Sequence, residues 1–199
     1  MKRISVLGLV LALGVLALAA VAFAGRGHDK GGAKSFSAKL NGWEEDPSQV
    51  TTGKGSFTAH IDSPTQISFT LKYRNLEGPA FMAHIHIGSR HESGGISAWL
   101  CGPPAPPPPV TQPPCPPGQT TEAVVNGTIQ ADDITGPAAQ GVEPGNFADL
   151  LRAVRKGETY TNVHSTTRAP GGEIRGQNKA NKGHDDDDDH DGGKHKRHR

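Results

Sequence analysis

Ala83-His84-Ile85-His86-Ile87-Gly88 and Tyr160-Thr161-Asn162-Val163-His164-Ser165 are the stretches whose reading decides the fold. Read as strands, they send alternate side chains to opposite faces, so His84 and His86 share one face while Ile85 and Ile87 occupy the other. Tyr160, Asn162 and His164 alternate in the same way. Three histidines able to converge between strands are the strongest chemical lead in the chain.

The sequence on either side keeps the same period of two. Phe36, Ala38 and Leu40 alternate with Ser35, Ser37 and Lys39, and Phe57, Ala59 and Ile61 alternate with Ser56, Thr58 and His60. Ile67, Phe69, Leu71 and Tyr73 alternate with Ser68, Thr70 and Lys72. The turn Asp62-Ser63-Pro64-Thr65 between the last two runs predicts a hairpin. Further short strands are predicted at 96–100, 124–130 and 172–177. One helix is predicted where Phe147, Leu150, Leu151 and Val154 stand at i, i+3, i+4 and i+7, with Asn146 to cap it and Gly157 to end it. About eight short strands with frequent turns and one short helix predict an all-β antiparallel sandwich, immunoglobulin-like or barrel-like.

At 199 residues there is room for one ordinary domain. Lys2 and Arg3, the apolar run from Ile4 to Val21 and the ending Ala22-Phe23-Ala24 read as a secretory signal peptide over residues 1–24, which would meet the membrane only in transit. The competing reading is a retained anchor, because the run is nearly long enough to span a bilayer. Residues 25–34 read as a flexible lead-in, 35–178 as the folded domain, and 179–199 as a disordered His/Asp/Lys/Arg tail that cannot bury apolar area. That tail is open to two readings: a solvated end that aids solubility, or a loose chelator of divalent ions and contact for a charged envelope polymer.

Export to the cell exterior or envelope suits the two cysteines, Cys101 and Cys115, which an oxidising compartment allows to pair. They would close a proline-rich loop over residues 101–115. A catalytic thiol pair or two-cysteine metal site has little support from so wide a spacing, and there is no C-x-x-C.

The formal net charge is +1, and between Arg26 and Asn178 no basic stripe carries interleaved aromatics, which argues against a nucleic-acid partner. Catalytic patterns are weak. Ser93 and Ser165 lack a nucleophile elbow. Glu44 and Glu45 are adjacent and would face opposite sides of an extended segment, a poor arrangement for a shared acid and base. Trp43 and Trp99 read as core or rim packing rather than a sugar platform.

The chain resembles the CHRD domain, a module described in the extracellular regulator chordin and found as a single copy in secreted microbial proteins. The resemblance begins at Phe36-Ser37-Ala38-Lys39-Leu40-Asn41-Gly42-Trp43-Glu44-Glu45 and includes "A-H-I-H-x-G" at Ala83 to Gly88. It continues through "Y-x-N-V-H-[ST]" at Tyr160 to Ser165 and ends with "P-G-G-E-I-R-G-Q" at Pro170 to Gln177. It implies an all-β sandwich and an extracellular module. In chordin the domain sits in a protein that binds growth factors of the bone morphogenetic class, a ligand that fold membership does not transfer. An extracellular protein or envelope polymer is the expected kind of partner. The proline-rich Cys101 to Cys115 segment and the tail depart from the family pattern.

Two readings of the histidines stand. In one, His84, His86, Asn162 and His164 form a satisfied hydrogen-bond network tied to Glu173 and Arg175, which share one face of the last strand. In the other, His84 and His86 lean onto one copper or zinc ion with His164 as third ligand, giving a site capable of redox chemistry with copper. The partial likeness to a copper-zinc superoxide dismutase site ends there, since the further ligands of that family have no motif here. The chain is thus read as an extracellular binding or structural module of unknown ligand, with a three-histidine metal protein as the alternative.

Overall fold

A computed structural model describes residues 32–102, 112–167 and 171–181. The predicted leader, the lead-in through residue 31, residues 103–111 of the proline-rich loop and the tail from residue 182 lie outside the described residues. Among the described residues, no helix is long and apolar enough to cross a membrane.

The strands are β1 (Ser35–Asn41), β2 (Lys54–Ser63), β3 (Gln66–Arg74), β4 (Ala80–Ile87), β5 (Ile96–Cys101), β6 (Ala123–Gln130), β7 (Thr159–Ser165), β8 (Ile174–Gln177) and β9 (Lys179–Asn181). Helix α1 (Phe147–Lys156) lies between β6 and β7. All pairings are antiparallel, in the order β5-β4-β7-β8-β1-β2-β3-β6, with β9 added to β1. A bridge between Ala98 in β5 and Ile134, just after β6, brings the two ends of that path together and nearly closes the sheet into a barrel.

The alternation written in the sequence explains the interior. Phe36, Ala38 and Leu40 of β1, Phe57 and Ala59 of β2, and Ile67, Phe69, Leu71 and Tyr73 of β3 are buried. Their neighbours in sequence point outward. Helix α1 adds Phe147, Leu150, Leu151 and Val154 to the same core. Asn146 Oδ1 accepts from the Asp149 N–H at its start, and Gly157 adopts the left-handed conformation (φ 77°) that ends it. Cys101, at the end of β5, is disulfide-bonded to Cys115.

Two features differ from simple alternation. Strand β9 extends the sheet through Asn181, pairing Ser37, Phe36 and Ser35 with Lys179, Ala180 and Asn181. The domain therefore runs three residues past residue 178, where a short segment with one small apolar residue offers no period to read. The second feature is β7, which is buried at every position, while β4 is buried at most of its own. On this half of the barrel the outer face is covered as well. The segments 42–51 and 88–95 lie over it, tied to each other by Arg90 Nε donating to Glu44 Oε2 at 2.9 Å and Ser93 Oγ donating to Asp46 Oδ2 at 3.2 Å.

Candidate metal centre

The covered face holds the site. In the register of β4 and β7, His84 lies opposite Asn162, His86 opposite Tyr160, and Met82 opposite His164. His164 is therefore diagonal to His84, within reach of an imidazole. The three histidines come together, each offering a ring nitrogen, and these atoms all lie within 4.8 Å of one another. Relative exposures of 0% for His84, 8% for His86 and 5% for His164 remove the cluster from water.

Aromatic rings wall it in. Trp99, opposite His84 on β5, meets the His84 ring edge-on with centroids 4.2 Å apart, and Phe81 meets His164 at 6.2 Å. Tyr160 stacks on His86 at 4.7 Å with its plane only 4° away. Arg175, opposite Asn162 on β8, lays its guanidinium carbon 3.4 Å from the centre of the Tyr160 ring. The strand order β4-β7-β8 thus stacks an imidazole, a phenol and a guanidinium in sequence.

Hydrogen bonds set the tautomers. His86 Nδ1 is 2.9 Å from the Gly94 carbonyl, which can only accept, so Nδ1 carries the proton and Nε2 keeps the lone pair. His86 Nε2 and both ring nitrogens of His84 have no hydrogen-bond partner among the described residues. Asn162 Nδ2 is 2.8 Å from His164 Nε2, while Asn162 Oδ1 is buried without a partner. Turning that amide over lets Oδ1 accept from the His164 Nε2–H, which leaves the lone pair on Nδ1.

Burial pushes the His84 imidazole down to about 2, helped by the neighbouring His86 and His164. It pushes His86 down to about 4, with Arg175 acting in the same direction and the Gly94 hydrogen bond opposing it. The Asn162 amide lies close enough to temper both shifts without a hydrogen bond of good geometry to either ring. Both rings are thus neutral bases at pH 7, the form that binds metals.

The other residues singled out from the sequence fall into two groups. Arg175 borders the histidines but spends its donors on the covering loop, Nη2 reaching the carbonyls of Ser89 and Glu92 at 2.9 Å each. Glu173 takes a different set of partners. It accepts from Thr51 Oγ1 at 2.6 Å, from the Glu77 N–H at 2.8 Å and from Ser165 Oγ.

Sequence reasoning missed Glu45. Its side chain is buried and Oε1 has no hydrogen-bond partner among the described residues. Loss of solvent raises its pKa to about 8, against the opposing pull of Arg175. It flanks the cluster through Gly172, where a Cβ would stand 2.5 Å from Glu45 Oε1 and 3.1 Å from Asn162 Nδ2. The signal was there in part. Glu44 and Glu45 do diverge, Glu44 toward Arg90 at the surface and Glu45 inward.

Fold and site define a disulfide-bonded, barrel-like β module with a buried histidine cluster on its covered face. The CHRD domain model matches residues 36–178, and the chain belongs to the CHRD domain family. No curated protein and no solved structure matches it. CHRD domains are typically extracellular modules of a binding or structural kind, and the Cys101–Cys115 disulfide is consistent with that setting.

Proposed function

We propose that this chain is a secreted module that holds one metal ion, copper or zinc, through His84, His86 and His164. The observation that carries the reading is the convergence of three buried imidazoles with nitrogens within 4.8 Å. A buried polar nitrogen without a hydrogen bond costs about 1–3 kcal/mol. A cluster built only to fix strand register would be expected to satisfy its members, and His84 is left with neither nitrogen bonded among the described residues.

Metal–nitrogen bonds of about 2.0–2.1 Å place ligand nitrogens roughly 3.3–3.6 Å apart, so small side-chain rotations of about 1 Å close the set around an ion. The outer partners are those a metal-binding histidine uses. Gly94 orients His86 through its second nitrogen, and Asn162 does the same for His164.

The test is metal retention. The full chain is incubated with copper or zinc, desalted, and analysed for bound metal beside a His84→Phe variant, which preserves ring volume against Trp99. One equivalent held by the native chain and absent from the variant is the expected result, with the tail's contribution equal in both. Equal retention by the two, or none by either, sinks the reading.

A further inference from the structure

We propose that the ion these histidines select is monovalent copper, Cu(I), rather than a divalent ion; the inference rests on the metal reading above. Its first ground is charge. An imidazole nitrogen that binds a metal brings no charge to it, and these three lie in a site removed from water; Born desolvation grows with the square of the charge, so a dication costs about four times what a monocation does. A divalent ion would need anionic ligands to offset this. The fixed charge beside the cluster is Arg175, stacked over Tyr160. It is positive, and so offers no negative charge to offset a second positive charge on the metal.

The second ground is coordination. Zinc in proteins is almost always four-coordinate, with water or a carboxylate completing a three-histidine set. Here the ring of Trp99 lies against His84, Tyr160 stacks on His86, and Phe81 faces His164. Among the described residues no fourth His, Cys, Asp or Glu joins the three. Cu(I), a d10 ion with no demand for a fourth ligand, is satisfied by three nitrogens in such a pocket.

Trp99 supplies the readout. The chain has two tryptophans, and a Trp43→Phe background removes the exposed one, leaving the emission of Trp99 beside His84. The full chain in this background is titrated without oxygen with Cu(I) held reduced by ascorbate, then challenged with Zn²⁺, and separately titrated with Zn²⁺ and with Cu²⁺. The expected result is quenching complete at one equivalent of Cu(I), not reversed by a Zn²⁺ excess of about a hundredfold, which corresponds to a preference of two decades or more. Displacement of Cu(I) by Zn²⁺, or tighter binding of either divalent ion, overturns the monovalent assignment and leaves the metal site standing. No quenching and no retained equivalent with any of the three ions overturns both. His84→Phe, shown by circular dichroism to keep the β fold, loses the quench; should that variant not fold, the competition on the native site decides alone.

Discussion

His86 donates its Nδ1–H to the carbonyl of Gly94, and Gly94 is the residue that can supply it because a Cβ there would stand 1.6 Å from the carbonyl oxygen of Ile87. The loop after β4 must lie directly on the strand end to deliver that acceptor. Ile87 N donating to the Gly95 carbonyl and Gly94 N donating to the Tyr160 hydroxyl hold it there. Gly94→Ala is therefore expected to lift the loop, at a cost of about 2 kcal/mol or more for a backbone clash that no rotamer relieves. Denaturant unfolding measures the loss, and the ring nitrogen shifts of His86 should show Nδ1–H giving way to a mixture of tautomers. An unchanged tautomer would break the link between loop and ligand.

Glu173 is the corresponding anchor for the segment before the site. It is fully buried and accepts from Thr51, Ser165 and the Glu77 N–H, joining three separate parts of the chain. Glu173→Gln turns one acceptor oxygen into an NH₂ facing donors, and a loss of about 2–3 kcal/mol is expected. Because this network does not include the histidines, bound metal per folded molecule should stay unchanged.

Arg175 serves by shape as well as charge. Its guanidinium reaches two loop carbonyls while lying flat on Tyr160, which the compact ammonium of lysine cannot do at once. Arg175→Lys is expected to destabilise by about 2 kcal/mol despite keeping the charge. Equal stability of the two proteins, measured by thermal unfolding, would show that charge alone matters there.

The disulfide acts mainly on the unfolded chain. Closing a loop of this length contributes about 3 kcal/mol in the chain-entropy account, and the prolines between the cysteines should reduce that by stiffening the open loop beforehand. Cys101→Ala/Cys115→Ala, measured under the same denaturant, is expected to lose less than about 3 kcal/mol. A larger loss would mean that the fully buried Cys101 contributes through packing.

How much of this was legible in the sequence depends on range. Strands β1, β2 and β3 follow from period-two alternation, since each buries one face only, and α1 follows from Phe147, Leu150, Leu151 and Val154. That His84 and His86 share a face is local geometry. That His164 joins them is not, because it needs β7 to pair with β4 in a register placing Asn162 opposite His84. The covering loops were legible only as turns. Burial of Glu45 depends on the segment after β1 folding back over the sheet, which no local period encodes. Strand β9 was missed because Lys179-Ala180-Asn181 carries no alternating apolar pair, and its pairing comes from the edge that β1 offers.

The pH dependence of the metal-free protein follows from three buried groups whose effects have opposite sign. His84 and His86 bind protons less well folded than unfolded, with pKa values lowered from 6.5 to about 2 and about 4. Stability from keeping them neutral is complete above 6.5 and is lost as the pH falls toward those values. Glu45 binds its proton better folded, its pKa raised from 4.5 to about 8, so its contribution is complete below 4.5 and is lost as the pH rises through 8. Between pH 4.5 and 6.5 the unfolded chain holds two histidine protons that the folded one lacks, and the folded chain holds one Glu45 proton. The net of one proton makes stability rise with pH, by about 1.4 kcal/mol per unit. From 6.5 to 8 only the Glu45 proton differs, and stability falls at about the same rate. A maximum near pH 6.5 is expected in unfolding free energies measured across this range. Glu45→Gln should abolish the fall and roughly double the slope of the rise, because the opposing proton is gone. If the fall above pH 6.5 persists in that variant, Glu45 is not its source.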